Sequence, residues 1–449
     1  MMFICRFFAF DIYTICLQAR KTPSVIISHP SADKLKSNKS RARYPHPAVK
    51  GEKMKKIISI LLAVSVLFSF CIFANAETDK ELKFGEDGKF TVLQISDPQD
   101  DHYPAYDMVN FIKLAIEETS PDLIVFTGDI VEDSRVADPG VDGEGTREGV
   151  EVEGDYEQTL KNVTAACEAV FAEAESKGIP FAVCQGNNDY NSGVTNEDWL
   201  KLYSSYENSL TVDESNDESG RIDFNLEIKG SNGKTAFNIW MMDTAGSSVT
   251  AEQLDWYKSE SAALRAENGG EPVPAILFQH VPTSDPGFLF EECNIWDEGA
   301  RLVDGKLLRL NKEVANGYNA SAFTIPEDTS EQFKAWKECG DVLGAYFGHW
   351  HTEGFTGTYD GIELGMTYGC EFAKTGPYGI RVFTLNENDI KNFDNELYTY
   401  EGSVKSGNAR FELQTDEPYA VYDNAIEAFF AGIGNIFNVF ALIVKSWFA

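Results

Sequence analysis

Cysteine and histidine are scarce in this chain of 449 residues, which has eight Cys and six His and no CxxC pair. Residues 77–449 hold five Cys, an odd number with no CxxC pair, so the sequence does not indicate a disulfide framework. The chain also has no GxSxG nucleophile elbow, no Walker A loop and no dinucleotide-binding glycine fingerprint. Serine hydrolases of that type, P-loop enzymes and dinucleotide-dependent dehydrogenases therefore have no support.

Positive charge is scarce as well, once the N-terminal region is set aside. Residues 77–449 hold 26 of the 38 Lys and Arg but 68 of the 71 Asp and Glu, which gives a net charge of −42. Nucleic acids and anionic lipids are bound mainly through Lys and Arg, so we expect no nucleic-acid-binding surface. An acidic surface instead favours solubility and attracts divalent cations.

The N-terminal region has the pattern of a secretory signal peptide. A basic start at 54–56 precedes an apolar run over 57–73. Small residues follow at 74–76, as signal peptidase requires for recognition of a cleavage site. We interpret 54–76 as a signal peptide and 1–53 as an over-called upstream extension, and we expect a protein that is secreted or attached to the cell envelope. An uncleaved anchor and a genuine long N-terminal region are the alternatives.

Residues 77–420 are long enough for one large core. Apolar strand patterns alternate with helical ones in its first part, with strands predicted at 90–95, 123–126 and 181–184 and helices at 107–118 and 160–177. Further strands are predicted at 221–228, 236–242, 274–278, 342–347, 379–385 and 396–400, and a helix at 251–266. This alternation is typical of a layered α/β protein, in which ligands gather beyond the carboxyl ends of the strands.

Polar side chains follow five of these predicted strands. In chain order the segments are Asp97-Pro98-Gln99, Gly128-Asp129, Gly186-Asn187-Asn188-Asp189, Gln279-His280 and Gly348-His349-Trp350-His351. Three of the four His in residues 77–449 occur here, which chance does not explain. Together the segments offer enough carboxylate, amide and imidazole ligands for two divalent metal ions. Asp129 is the natural bridge, because one carboxylate can neutralise both ions.

These segments, in this order and each after a strand, resemble the motifs of the calcineurin-like metallophosphoesterase family over roughly residues 88–390. Each motif alone would be an ordinary turn or strand-end cap, and only the ordered set is specific. The resemblance implies a four-layer αββα sandwich of two mixed sheets flanked by helices. It also implies one ion on Asp97, Gln99, Asp129 and His351, and a second on Asp129, Asn187, His280 and His349.

The sequence departs from the family pattern at two positions. Gln99 stands where the family usually has His, so we expect weaker binding of that ion and a shift toward Mn, Mg or Fe over Zn, with Mn or Fe favoured. Asn188 stands where the family has a His that assists the leaving group, and an amide donates hydrogen bonds but is no acid near neutral pH.

Two nearby residues bear on this resemblance. His102, three residues beyond Gln99, is a candidate substitute acid or substrate contact, although a surface residue is the simpler interpretation. Glu132 stands where the purple acid phosphatase subgroup has a metal-binding Tyr, which weighs against that subgroup.

The C-terminal segment 421–449 has a composition of its own. Apolar residues recur at three- and four-residue steps over 425–449, which predicts an amphipathic helix with a wide apolar face. Asn435 and Asn438 make it a poor membrane-spanning segment. A helix in a membrane interface, self-association, and packing on the body of the protein all remain open.

The sequence therefore predicts a metal-dependent phosphoesterase that hydrolyses phosphorylated small molecules with a water activated by two metal ions. Gln99 and Asn188 motivate an alternative: a catalytically impaired surface protein of the same fold that binds metals and phosphorylated ligands. Substrate identity is not predicted, because specificity would lie in residues 284–340 and in the acidic loops.

Overall fold

The computed structural model describes residues 81–138 and 155–399, apart from 216–217, 219, 304, 320–324, 327–329 and 373–376. The upstream extension at 1–53, the signal peptide at 54–76 and the C-terminal helix at 421–449 lie outside the described residues, so these predictions stay predictions. Among the helices of the described ranges, none has the length and apolar character needed to cross a membrane.

The strands, numbered in chain order, follow the sequence pattern with small shifts. They are β1 (Leu82–Lys83), β2 (Lys89–Ile95), β3 (Leu123–Thr127), β4 (Phe181–Cys184), β5 (Phe224–Lys229), β6 (Thr235–Met242), β7 (Ala275–Gln279), β8 (Phe290–Glu292), β9 (Arg301–Val303), β10 (Lys306–Leu310), β11 (Ala315–Asn319), β12 (Val342–Phe347), β13 (Glu353–Tyr359), β14 (Ile362–Met366), β15 (Gly379–Asn386) and β16 (Asp394–Thr399).

The α-helices are α1 (Tyr106–Thr119), α2 (Asp133–Val136), α3 (Tyr156–Lys177), α4 (Asn187–Asn191), α5 (Asn196–Ser204), α6 (Ala251–Glu267) and α7 (Gln332–Cys339). Short 3₁₀ helices lie at Asp285–Leu289 and Glu387–Asp389. Helix α3 begins four residues before the predicted start, because the Asp155 side chain caps it by accepting from the backbone N–H of Gln158. Helix α6 begins as predicted, at a capping box formed by Thr250 and Gln253.

Two mixed sheets form the centre of the protein. One has eight strands in the order β1-β5-β6-β7-β12-β14-β13-β11, and the other has five in the order β16-β15-β2-β3-β4. Each contains parallel and antiparallel neighbours: β6 runs parallel to β7 and antiparallel to β5, while β2 runs parallel to β3 and antiparallel to β15. A separate three-stranded sheet, β8-β10-β9, accounts for part of residues 284–330.

The side chains of β7 show how the layers are arranged. Ile276 and Phe278 belong to the core cluster that also contains residues of the five-stranded sheet, α1 and α3. Ala275 and Leu277, on the opposite face, belong to a second cluster with residues of α6 and α7. The order helix, sheet, sheet, helix follows, and the predicted four-layer sandwich of two mixed sheets is confirmed.

Several elements were missed by the sequence analysis. Strand β14 pairs antiparallel along its whole length with residues 355–359 of β13, although the Gly and Thr residues of β13 give little strand signal. Helices α5 and α7 were also missed. Helix α4 begins at Asn187, where an ordinary turn was the simpler interpretation of the sequence. Tertiary contacts stabilise these short elements, which local pattern alone does not specify.

Phe171 offers a test of the packing between α3 and the five-stranded sheet. It is fully buried, and its ring stacks on Phe181 at 4.8 Å and meets Phe126 edge-on at 5.0 Å. Removing a buried aromatic ring leaves a cavity, so Phe171→Ala should lower the free energy of unfolding by about 3–5 kcal/mol in urea titrations followed by circular dichroism. Trp296→Ala is the control, because Trp296 is 70% exposed and should cost less than about 0.5 kcal/mol. Similar losses in the two variants would contradict this packing.

Candidate metal centre

Both sheets deliver the predicted polar residues to one place. The five-stranded sheet leads into Asp97, Asp129 and Asn187 at the ends of β2, β3 and β4, and the eight-stranded sheet leads into His280 and His349 at the ends of β7 and β12. Backbone hydrogen bonds tie neighbouring loops together, since the N–H of Asp97 donates to Gly128 and that of Gly348 to His280. The loops are therefore held by the sheets rather than by the ligand residues alone.

Three of the ligands predicted for the first ion lie close together. Ligand atoms of Asp97, Asp129 and His351 all fall within 4.8 Å of one another. Nε2 of His351 lies 3.3 Å from Oδ1 of Asp97. Oε1 of Gln99, the fourth predicted ligand, is buried and has no hydrogen-bond partner in the described part of the chain. A buried acceptor without a donor is costly, and a cation would satisfy it.

The ligands predicted for the second ion meet around Asn187. Its Oδ1 lies 3.1 Å from Nε2 of His280 and 2.8 Å from Nδ1 of His349. Nδ1 of His280 lies 2.8 Å from the carbonyl oxygen of Thr127, which can only accept, so this nitrogen carries a proton. In the neutral ring, Nε2 then presents its lone pair to Asp129, whose Oδ2 lies 3.3 Å away. Converging acceptors of this kind fit a divalent cation.

The pKa shifts of the His and Asp side chains at the site also indicate that positive charge is favoured there. Burial alone lowers the pKa of His280, but the charges of Asp129 and Asp97 outweigh it and raise the pKa to about 9. Burial is likewise outweighed at His351, where Asp97 contributes most to raising the pKa to about 10. These imidazolium charges lower the pKa of Asp97 despite its burial. In His349, burial dominates and lowers the pKa to about 4. Without a metal, protons on two imidazoles thus balance the carboxylates.

Backbone strain is concentrated at the same residues. Asp97, Gln99, Asp129 and His349 have φ values of 49°, 40°, 50° and 72°, in the left-handed region that non-glycine residues rarely adopt. They are half of the eight such residues in the described ranges. Each costs on the order of 1–3 kcal/mol, and such strain persists mainly at functional sites.

The glycines of the motifs permit the close approach of the loops. Gly128 has a φ of 83°, and a Cβ atom there would lie 2.6 Å from the backbone nitrogen of Gly186. A Cβ atom at Gly186 would collide with the carboxylate and backbone of Asp129. These two positions therefore require glycine for the ligand loops to meet.

Asn188, predicted to stand near a leaving group, is bonded to the bridging carboxylate. Its backbone N–H donates to Oδ1 of Asp129 at 2.8 Å and its Nδ2 donates to Oδ2 at 2.6 Å. The next residue, Asp189, accepts from the backbone N–H groups of Gly186 and Val131 at 3.0 and 3.1 Å. Burial, with the charge of Asp129 adding, raises the pKa of Asp189 to about 8. These contacts hold Asp129 and fix the start of α4.

The structure does not place His102 among the ligand residues. Its ring packs against Tyr103 with a centroid distance of 4.1 Å, and its buried Nδ1 has no hydrogen-bond partner in the described ranges. In those ranges, no hydrogen bond or ion pair joins it to the seven predicted ligands. Its role as an acid or substrate contact stays a prediction.

Sequence reasoning missed three residues that touch the ligands. Ser96 donates through its hydroxyl to Asp97, Arg135 donates to the backbone oxygen of Gln99 at 2.6 Å, and Glu371 lies 2.9 Å from Nδ1 of His351. Ser96 adjoins a motif and could have been noticed. Arg135 and Glu371 follow no predicted strand, so no local pattern pointed to them.

Gly186→Ala tests the close approach of the two loops. The added methyl group must displace Asp129, so the affinity for Mn²⁺ in calorimetric titration should fall at least about tenfold, a loss comparable to that from removing ligand-supporting residues. Gly246→Ala is the matched control, because its Cβ would make an ordinary contact at 3.8 Å with Asn187. Unchanged affinity in Gly186→Ala would show that the loops are not held as described.

Two proteins of Arabidopsis thaliana are similar to the chain: probable inactive purple acid phosphatase 14, 24% identical over 370 residues (72% of this chain, 82% of the plant protein), and probable inactive purple acid phosphatase 29, 23% identical over 349 residues (69% and 78%). Both relatives carry the purple acid phosphatase name, and the exclusion of that subgroup on the basis of Glu132 stays a prediction.

A solved structure of a dimetal phosphatase from Danio rerio aligns with 70% of this chain and 99% of its own, with 13% identity and a TM-score of 0.40. The model of the calcineurin-like phosphoesterase family matches residues 90–353, which contain all five motifs. The chain therefore belongs to the calcineurin-like phosphoesterase family.

Proposed function

We propose that the protein is a metal-dependent phosphoesterase that hydrolyses phosphate esters of small molecules with water. The observation that carries the proposal is the convergence of buried carboxylate, amide and imidazole groups from both sheets. His280 is fully buried beside Asp129 and Asp97, an arrangement that is costly unless positive charge lies among them.

The residues present fit a dinuclear metal centre. Asp97, Gln99, Asp129 and His351 would hold one ion, and Asp129, Asn187, His280 and His349 the other. Two divalent ions would supply Lewis acidity toward the phosphoryl group and the attacking water. Because oxygen donors dominate around Gln99, we expect Mn or Fe to be favoured over Zn at that position, with Mg also accommodated.

The contribution of the protein's own residues is mainly to hold the ligands in place. Asn188 fixes both oxygens of Asp129, and the backbone N–H of His349 donates to Oδ2 of Asp97 at 3.1 Å. Asn188 itself cannot deliver a proton to a departing alkoxide. A missing general acid commonly costs about 10²–10⁴-fold in rate, so aryl phosphates and phosphoanhydrides should be hydrolysed much faster than alkyl phosphates.

A second candidate function is binding without turnover. The amide at position 188 favours it, as does the word "inactive" in the names of the plant relatives. In this case the protein would hold metals and a phosphorylated ligand but release the ligand unchanged. The two candidates differ in turnover, not in metal binding.

We also propose that the protein acts outside the cytoplasm, secreted or attached to the cell envelope. The signal-peptide pattern at 54–76 supports this location. The apolar face predicted for 425–449 supports contact with a membrane interface or with a second copy of the chain.

Metal dependence is tested with p-nitrophenyl phosphate and the exported protein. Activity should require Mn²⁺, disappear on chelation and return when Mn²⁺ is added back. His349→Ala removes a ligand and should lose at least about 10²-fold in kcat/KM, since the second ion would be held poorly. Activity that is unchanged by chelation and by His349→Ala would contradict the proposal.

Asn188→His separates the two candidate functions. Restoring an acid should raise kcat on an alkyl phosphate by at least about tenfold and change the rate on p-nitrophenyl phosphate much less, because only the alkoxide needs protonation. Elemental analysis of the variant would show that metals are still bound. No gain on either substrate, with metals retained, would favour binding without turnover.

A further inference from the structure

Glu371 contacts His351, a predicted metal ligand, at the ring nitrogen that faces away from Asp97. It is buried, with 3% of its side chain exposed, and its Oε2 lies 2.9 Å from Nδ1 of His351. The other ring nitrogen of His351 faces Asp97. A proton on Nδ1 directed at Glu371 leaves the lone pair of Nε2 pointing toward the site. A carboxylate in this position fixes the tautomer and the ring orientation of a metal-binding His and increases its strength as a donor.

Arg135, in α2, contacts Gln99, one of the two departures from the family pattern. Its Nη2 donates to the backbone oxygen of Gln99 at 2.6 Å, and the same nitrogen lies 3.8 Å from Oε1 of Glu371. Its guanidinium also lies 3.8–3.9 Å from carboxylate oxygens of Glu132, Asp100 and Asp101. Since Gln99 has a strained backbone, with a φ of 40°, this bond helps to hold its conformation.

Arg135 and Glu371 thus connect two of the three non-bridging ligands predicted for the first ion. Gln99 and His351 lie 252 positions apart in sequence, and Arg135 and Glu371 join them through one ion-pair contact. Arg135 also offsets repulsion among the carboxylates that surround it, which would otherwise push the Gln99 loop away from Glu371.

We propose that Glu371 and Arg135 are positioning residues for the first ion, and that they compensate for the weak amide donor at position 99. Glu371 strengthens His351 as a ligand, and Arg135 holds Gln99 and Glu371 in position relative to each other. The inference rests on the proposed metal centre but not on turnover. It predicts that the affinity of one ion depends on residues that never touch it.

Calorimetric titration of the exported, metal-free protein with Mn²⁺ tests the inference. Glu371→Gln removes the charge and keeps an acceptor, and Glu371→Leu removes both. One of the two binding events should weaken by about 10-fold in the first variant and about 100-fold in the second, the range typical for partners of metal ligands. His349→Ala should weaken the other event, which assigns the two.

Asp341→Asn is the control for loss of a buried carboxylate. Asp341 accepts from Tyr257 at 2.6 Å and from Trp240 at 3.2 Å, in the cluster beside α6 and α7. Its variant should leave both Mn²⁺ affinities within about threefold, a tolerance near the usual error of additivity. Thermal unfolding of each metal-free variant reports whether it folds. If Glu371→Leu does not fold, the Mn²⁺ affinity of Glu371→Gln alone tests the inference.

The compensation is tested in a Gln99→His background. With a stronger donor at position 99, Glu371→Gln should cost at most about threefold in Mn²⁺ affinity, because coupled residues are not additive. Arg135→Lys, which should weaken the same binding event as Glu371→Gln when Gln99 is present, should likewise cost at most about threefold in this background. Wild-type affinities in the Glu371 variants, or an equal loss in Asp341→Asn, would overturn the inference. A protein that binds two ions without hydrolysing esters would refute only the proposed function, and one that binds no Mn²⁺ would refute both.

Discussion

The structure depends on the mutual attraction between buried carboxylates and positive charge. Asp97 and Asp129 are almost completely buried, and His280 lies between them with no exposed surface. Neutral imidazoles and amide oxygens add lone pairs to the same space, so the site is stable only if protons or metal ions occupy it. The strained backbone at the ligands and the glycines at Gly128 and Gly186 follow from this need for convergence.

The sandwich architecture makes such a convergence possible. Carboxyl ends of parallel strands from two sheets meet at one edge, and each strand ends one to three residues before a ligand. Both faces of the central strands are covered, as the alternation of Ile276 and Leu277 between two core clusters shows. The ligands therefore stand on rigid supports, while the loops that carry them are short.

Much of this could be predicted from the sequence, for reasons that are local. Asp129 and His280 follow strongly apolar strands, so their position at a sheet edge was readable from pattern alone. Arg135 and Glu371 were not, because their role arises from contacts between distant segments that no local pattern encodes. The helix beginning at Asn187 was also missed, since its few residues are stabilised by hydrogen bonds with Asp129, Gly186 and Val131 rather than by propensity.

We propose that seven side chains, Asp129 among them, bind two divalent ions. Anomalous X-ray diffraction at the manganese absorption edge, from crystals of the protein grown with Mn²⁺, tests this proposal most directly. The account predicts two peaks, one on each side of the Asp129 carboxylate, the first beside His351 and the second beside His280. Manganese found only at surface carboxylates, with none beside Asp129, would contradict it.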